Sequence, residues 1–256
     1  MMQKSGEKNW GVTIVPTNEI YSHPDSRIFL SVRKLGKHYQ DEIAKQLADM
    51  GIREERIVRV DKIIDALEQK AYFDLTNLPH EKDETFVDAG AFDGASSRAF
   101  AEWARDFCHI YAFEPDPQNI SACKETLKTI SEERTTLLPY GVWRDRRELR
   151  FNGLGKVGSN VAEHGNICVP VTSIDEELAG KRITFIKMDI EGSEMEALQG
   201  AAKTIRMQHP KLAISIYHKP EDILELPHYI LSLNPKYRMY LRHYALMKSE
   251  TVLYCL

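Results

Sequence analysis

Short apolar runs rich in β-branched and aromatic residues alternate with stretches of helical spacing along most of the chain. From residue 85 onward the pattern predicts a strand at 85–88 and a helix at 96–107, then a strand at 109–113 and a helix at 117–131. A strand follows at 135–139, then a strand at 183–189 with a helix at 193–207, and a strand at 212–217 with a helix at 220–233. The end breaks the rhythm, because 237–241 and 251–256 are two β runs joined by a short polar loop. Strands alternating with helices predict an α/β fold, a mostly parallel, doubly wound sheet with right-handed crossovers. The closing hairpin adds an antiparallel strand. Residues 144–171 form a less regular insert with Gly153, Gly155, Gly158, Ser159 and Asn160, suited to overhang the sheet edge as part of a substrate pocket.

A separate β-α-β-α pattern precedes this block. Residues 28–32 are a β run, and 38–50 carry helical spacing at Ile43, Leu47 and Met50, with Gly51 where a helix C-cap belongs. Residues 57–60 are a second strand, and Asp61 can cap a helix that places Ile63, Ile64 and Leu67 on one face. Half an open sheet is too small for a two-sided core. Residues 1–76 are therefore expected to be an N-terminal extension or partial domain, 77–84 a polar linker, and 85–256 the main domain.

Composition narrows the classes. With 256 residues the chain holds between one and two domains and needs no disulfide or metal to fold. Lys and Arg total 34 against 38 Asp and Glu, a formal net charge of −4, which argues against a protein that coats nucleic acid by bulk charge. Cys108, Cys123, Cys168 and Cys255 form no C-x-x-C pair, so they are expected to be buried thiols in a reducing compartment. No apolar run reaches the roughly 18 residues that span a bilayer, and the start carries no signal-peptide pattern. The expectation is a cytoplasmic protein with a small-molecule partner and neither nucleic acid nor membrane. Nothing in the pattern fixes an oligomeric state. The basic cluster Arg144, Arg146, Arg147 and Arg150 is expected to be a solvated turn.

Two stretches carry chemistry. In Phe86-Val87-Asp88-Ala89-Gly90-Ala91-Phe92-Asp93-Gly94, a strand runs into a helix through two glycines that let a ligand approach the backbone. The spacing is G-x-x-x-G, not the G-x-G-x-x-G of a dinucleotide loop. Carboxylates at Asp88 and Asp93 would repel a pyrophosphate but suit a cationic ligand such as S-adenosylmethionine. A plain glycine turn is the bland alternative. The next strand ends in Glu114-Pro115-Asp116, where a carboxylate can accept both hydroxyls of a ribose, although the same geometry serves NAD. Asp116 also fits as an N-cap before Pro117. Further along, Phe185-Ile186-Lys187-Met188-Asp189-Ile190-Glu191-Gly192 ends a buried strand in two acids, which is costly unless they are paired or functional. The neighbouring strand runs into His218. Adjacent parallel strand ends lie about 5 Å apart, so Asp189, Glu191 and His218 are expected to converge.

These stretches resemble the FkbM-type S-adenosylmethionine-dependent methyltransferases. The carriers are V-D-A-G-A-F-D-G (87–94), Y-A-F-E-P-D-P (111–117), I-K-M-D-I-E-G-S-E (186–194) and S-I-Y-H-K-P-E-D (215–222), with the closing L-R-H-Y-A-L and E-T-V-L-Y. The resemblance covers 85–256 and implies a Rossmann-like class I methyltransferase fold with methyl transfer to a hydroxyl of a sugar, polyketide or other metabolite. Asp88, Gly90, Ala91, Phe92, Asp93, Gly94, Glu114, Pro115, Asp116, Gly141, Val142 and Asp189 are the cofactor-binding candidates it implies. Ala91-Phe92-Asp93 departs from the family's usual run after the first glycine. His218 is the candidate general base, with Asp189 or Glu191 orienting it or the acceptor hydroxyl. Alternatively these three ligate a divalent metal, which is possible but not required. The rival readings are a nicotinamide-dependent Rossmann oxidoreductase, disfavoured by the glycine spacing and the terminal hairpin, and a non-catalytic binding module of the same fold.

Overall fold

The computed structural model describes residues 8–9, 12–13, 17–30, 39–60, 62–63, 71–76, 78–151, 167–245 and 249–256. The chain divides into two compact units, Met1–Ala66 and Leu67–Leu256. In the first, β1 (Lys8–Asn9) pairs antiparallel with β2 (Val12–Thr13), and β3 (Ile28–Leu30) pairs parallel with β4 (Ile57–Arg59). The crossover between β3 and β4 contains α1 (Tyr39–Asp49). Leu30, Ala44, Leu47, Ile52 and Ile57 form its core, and Gly51, at φ +81°, follows the helix as the sequence predicts. Ser31, Val32, His38, Asp61, Ile64 and Leu67, which the pattern assigns to elements here, lie outside the described residues.

The second unit is built on one seven-stranded sheet. Its strands are β5 (Glu84–Ala89), β6 (Phe107–Phe113), β7 (Thr135–Leu138), β11 (Phe185–Met188), β12 (Lys211–Ser215), β13 (Met239–His243) and β14 (Thr251–Cys255), in the order β13-β14-β12-β11-β5-β6-β7. The five strands from β12 to β7 run parallel, and β14 is antiparallel to both β12 and β13. β5, β11 and β12 are buried throughout, as expected of parallel strands covered on both faces. The two-residue period sorts their side chains between two cores. Val87, Ile186, Leu212 and Ile214 join a core with Leu198, Ile205, Leu226 and Ile230, whereas Phe86, Phe185 and Ala213 join one with Phe100, Phe107 and Leu127. Phe86 and Phe100 stack at 4.3 Å between ring centroids.

Several expectations change. The helix expected at 193–207 is two helices, Glu194–Gln199 and Ala202–Gln208, with Gly200 between them. A Cβ at Gly200 would lie 2.1 Å from the Trp143 carbonyl oxygen, so a crossing chain segment dictates the break. The insert is more regular than its charges suggest. β9 (Arg147–Phe151) pairs antiparallel with β10 (Ile167–Thr172), which runs parallel to β8 (Gly141–Val142), giving a second sheet in the order β8-β10-β9. Gly153, Gly155, Gly158, Ser159 and Asn160 lie outside the described residues. Within the basic cluster, exposed Arg146 bridges Glu176 and Glu177, and Arg147 bridges Asp145. Glu84, assigned to the linker by its polarity, is fully buried as the first residue of β5 and pairs with Lys211 at 2.6 Å. Ala71 and Tyr72 belong to the second core, and Phe73 stacks on Trp103. Only Cys123 and Cys255 are buried. Cys108 and Cys168 are exposed, because they fall on the outward positions of their strands. Among the described residues no helix is long and apolar enough to cross a membrane.

Candidate functional site

The carboxyl ends of β5, β6 and β11, together with β8 and β10, enclose a cavity of about 300 Å³. The loop after β5 forms one wall. Gly90 (φ +79°) is required there, since a Cβ would stand 2.0 Å from the Asp189 carbonyl oxygen. Gly90→Ala is therefore expected to cost about 2 kcal/mol or more, read as a lower denaturation midpoint; an unchanged midpoint would show that the loop can move away from β11. The amides of Gly90 and Ala91 donate to the Phe113 carbonyl at 3.1 and 3.0 Å. Phe92 lines the cavity with its ring about half exposed, and Ala91 is buried behind it. Asp93 is exposed outside the cavity and accepts from the Ala95 amide at 3.0 Å. Gly94 (φ +85°) precedes the helix Ala95–Ala104 and lies against Thr126.

Asp88 lies beneath this loop and lines neither the cavity nor its neighbour described below. It is fully buried, accepts from the Ser96 and Ser97 hydroxyls at 2.7 Å each, and pairs with the Lys187 ammonium at 3.1 Å. The parallel register of β5 and β11 sets Lys187 directly beside Asp88. The ammonium also donates to the Gly90 carbonyl at 2.7 Å. The pair thus braces the loop instead of facing the cavity.

Glu114 stands in the cavity wall between Phe92 and Asp116. Its Oε2 accepts from the Phe92 amide at 2.8 Å, and its Oε1 accepts from the Asp116 amide at 2.8 Å and the Asn119 side chain at 3.3 Å. Burial raises its pKa, and these donors offset only part of the rise. Asp116 caps the helix Pro117–Ile130 through the Gln118 amide at 2.8 Å, and it also lines the cavity with Pro115, Gly141 and Val142.

The opposite wall carries the acids. Glu191 (φ +55°) and Gly192 (φ +91°) make a left-handed turn after β11, and Asp189 and Glu191 both line the cavity. The Tyr72 hydroxyl donates to Asp189 Oδ2 at 2.9 Å and the Tyr217 hydroxyl to Oδ1 at 3.2 Å. Burial, then the Asp189 charge, pushes both phenols upward in pKa. His218 stands behind these acids, off the cavity wall. Its Nε2 lies 3.4 Å from Asp189 Oδ1 and 3.6 Å from Glu191 Oε2, and its Nδ1 lies 3.0 Å from Glu194 Oε1. Burial alone would lower the imidazole pKa, but Glu194, Asp189 and Glu191 outweigh it and raise it. A second cavity of about 570 Å³, reached by Tyr72, Ser96, Arg98 and Lys187, shares Gly90, Phe92, Asp189 and Glu250 with the first.

The structure thus brings Asp189, Glu191 and His218 together as expected, and adds Glu194, Tyr72, Tyr217 and Lys187. A lysine inside the apolar run before Asp189 was the available signal for Lys187. Tyr72 had none, because it is 117 residues away from Asp189.

Residues 88–245 match the family described as Methyltransferase FkbM domain. The 2-O-methyltransferase NoeI of Sinorhizobium fredii (strain NBRC 101917 / NGR234) is 23% identical over 158 residues, which is 53% of this chain. That match spans 65% of the length of NoeI. The crystal structure of methyltransferase FkbM from Methylobacillus flagellatus KT has the same fold, with a TM-score of 0.65 and 24% identity over 98% of this chain and 80% of that one.

Proposed function

The chain belongs to the FkbM methyltransferase family, and from that membership we propose that it transfers the methyl group of S-adenosylmethionine to a hydroxyl oxygen of a small-molecule acceptor, a sugar, a polyketide or another metabolite. The Rossmann-like class I methyltransferase fold agrees with this reading. One observation carries it. Glu114, the candidate to hold ribose hydroxyls, lines the same cavity as Asp189 and Glu191, the candidates to receive an acceptor hydroxyl. The name of NoeI supports oxygen as the methylated atom.

The sulfonium already makes its methyl carbon electrophilic, so the protein's main task is alignment. Gly90 would let the methionine end lie on the loop, Glu114 would hold the ribose, and Gly141 and Val142 would border the adenine end. Bound there, the sulfonium would supply an electrophilic methyl group to the acceptor oxygen and leave as S-adenosylhomocysteine. The acceptor's proton would pass to the carboxylates of Asp189 and Glu191, which open onto the cavity. The two tyrosine hydroxyls hold the Asp189 carboxylate in one orientation.

Calorimetry tests the cofactor half. S-adenosylhomocysteine is expected to bind and NAD is not. Glu114→Ala is expected to weaken binding about 10- to 100-fold, the loss of one or two hydrogen bonds to a charged acceptor. Comparable NAD binding, or no effect of Glu114→Ala, would reject this placement. Transfer of a labelled methyl group to panels of hydroxylated acceptors tests the other half. Binding of S-adenosylhomocysteine without transfer to any of them would favour a non-catalytic module.

A further inference from the structure

We propose that Asp189, Glu191 and His218 bind one divalent cation at the wall of the first cavity, with Glu194 holding the imidazole from behind. The role of the ion rests on the methyltransferase reading above; its binding does not.

The argument starts from His218. Its side chain is 8% exposed, and its Nε2 has no hydrogen-bond partner. A buried imidazole nitrogen without such a partner is unusual. What surrounds it is carboxylate. The 3.4 and 3.6 Å gaps from Nε2 to Asp189 Oδ1 and Glu191 Oε2 are long for hydrogen bonds. They match the spacing of atoms sharing one ion, since ligands about 2.0–2.2 Å from a common centre stand roughly 3.0–3.6 Å apart. The other nitrogen, Nδ1, lies 3.0 Å from Glu194 Oε1. An imidazole that ligates through one nitrogen and gives its other N–H to a carboxylate is the usual arrangement at metal centres.

Two further observations agree. One atom each from Asp189, Glu194 and His218 lies within 4.8 Å of the others, which puts the Glu194 carboxylate at the edge of the site beside Glu191. Glu194 is fully buried, and although its Oε1 accepts from the Ile190 amide at 2.9 Å, its Oε2 has no hydrogen-bond partner. Carboxylate and imidazole donors suit Mn²⁺, Zn²⁺ or Mg²⁺ rather than a thiophilic ion. Because Asp189 and Glu191 line the cavity, the ion would stand where an acceptor hydroxyl enters and would favour its ionised form.

The test titrates Mn²⁺ into metal-stripped full-length protein and follows loss of the free-ion signal by electron paramagnetic resonance. No acceptor or methyl donor is present. We expect one ion per chain. Binding should weaken at least about tenfold in Glu191→Gln and His218→Gln, and about 10- to 100-fold in Glu194→Gln. Glu191 is only half-buried, so Glu191→Gln keeps the test valid if the buried variants fail to fold. Two results would overturn the site: no binding of Mn²⁺, or of Zn²⁺ in a parallel titration, and binding of unchanged strength in folded Glu191→Gln. S-adenosylhomocysteine affinity is measured separately on the same samples. Its absence would count against the methyltransferase reading and leave the cation site standing.

Discussion

Replacing His218 with alanine is expected to lower methyl transfer by about 10²–10⁴-fold while S-adenosylhomocysteine binds as tightly as before. Any O-methyltransferase must dispose of the acceptor's proton as the new bond forms. Three carboxylates surround this imidazole, and two of them, Asp189 and Glu191, open onto the cavity. Removing the ring takes away the group that organises them and leaves their charges facing one another. His218 does not line the cavity, so cofactor affinity should not depend on it. Steady-state rates with a labelled methyl donor, set beside calorimetric affinity for S-adenosylhomocysteine, separate the two effects. Turnover equal to wild type would remove His218 from the mechanism. A matching loss in both measurements would instead make it a structural support of the cavity.

The largest loss of stability is expected from Lys187→Met, about 3–5 kcal/mol by chemical denaturation. Lys187 and Asp88 face each other across β11 and β5 at 3.1 Å, with side chains 3% and 0% exposed. Without the ammonium, Asp88 retains the Ser96 and Ser97 hydroxyls but no opposing charge, and the Gly90 carbonyl loses a donor. A buried charge without compensation costs far more than the intact pair contributes. The double variant Lys187→Met with Asp88→Asn is therefore expected to recover most of the loss. A single variant destabilised by less than about 1 kcal/mol would show that water or another cation reaches Asp88.

Much of the site was legible because its residues sit at strand ends. The glycine loop at Gly90, the acid at Glu114 and the acids at Asp189 and Glu191 each close an apolar run, and a parallel sheet gathers such ends at one edge. Asp88 shows the limit of that logic. Strand alternation places it in the interior, where it braces the loop through Lys187. His218 likewise follows a strand but points behind Asp189 and Glu191. Glu194 was hidden because its position on a helix resembles a solvated first-turn acid, yet it is fully buried. The insert reads as a loop in sequence because β9 carries charges on the pattern of an exposed edge strand, which local hydrophobicity does not distinguish from a coil.

Periodicity and punctuation along the chain were enough to determine the succession of the main sheet's strands, its parallel body with an antiparallel end, and the edge at which ligands gather, because these depend on local spacing and on handedness rules that hold for any α/β chain. Tertiary structure alone decided which charges meet. Lys187 finds Asp88 through strand register, and Tyr72 reaches Asp189 from 117 residues away. His218 meets Glu194 because a helix start and a strand end pack together. Such pairings depend on side-chain direction and on contacts between segments distant in sequence, and no window of neighbouring residues encodes either one.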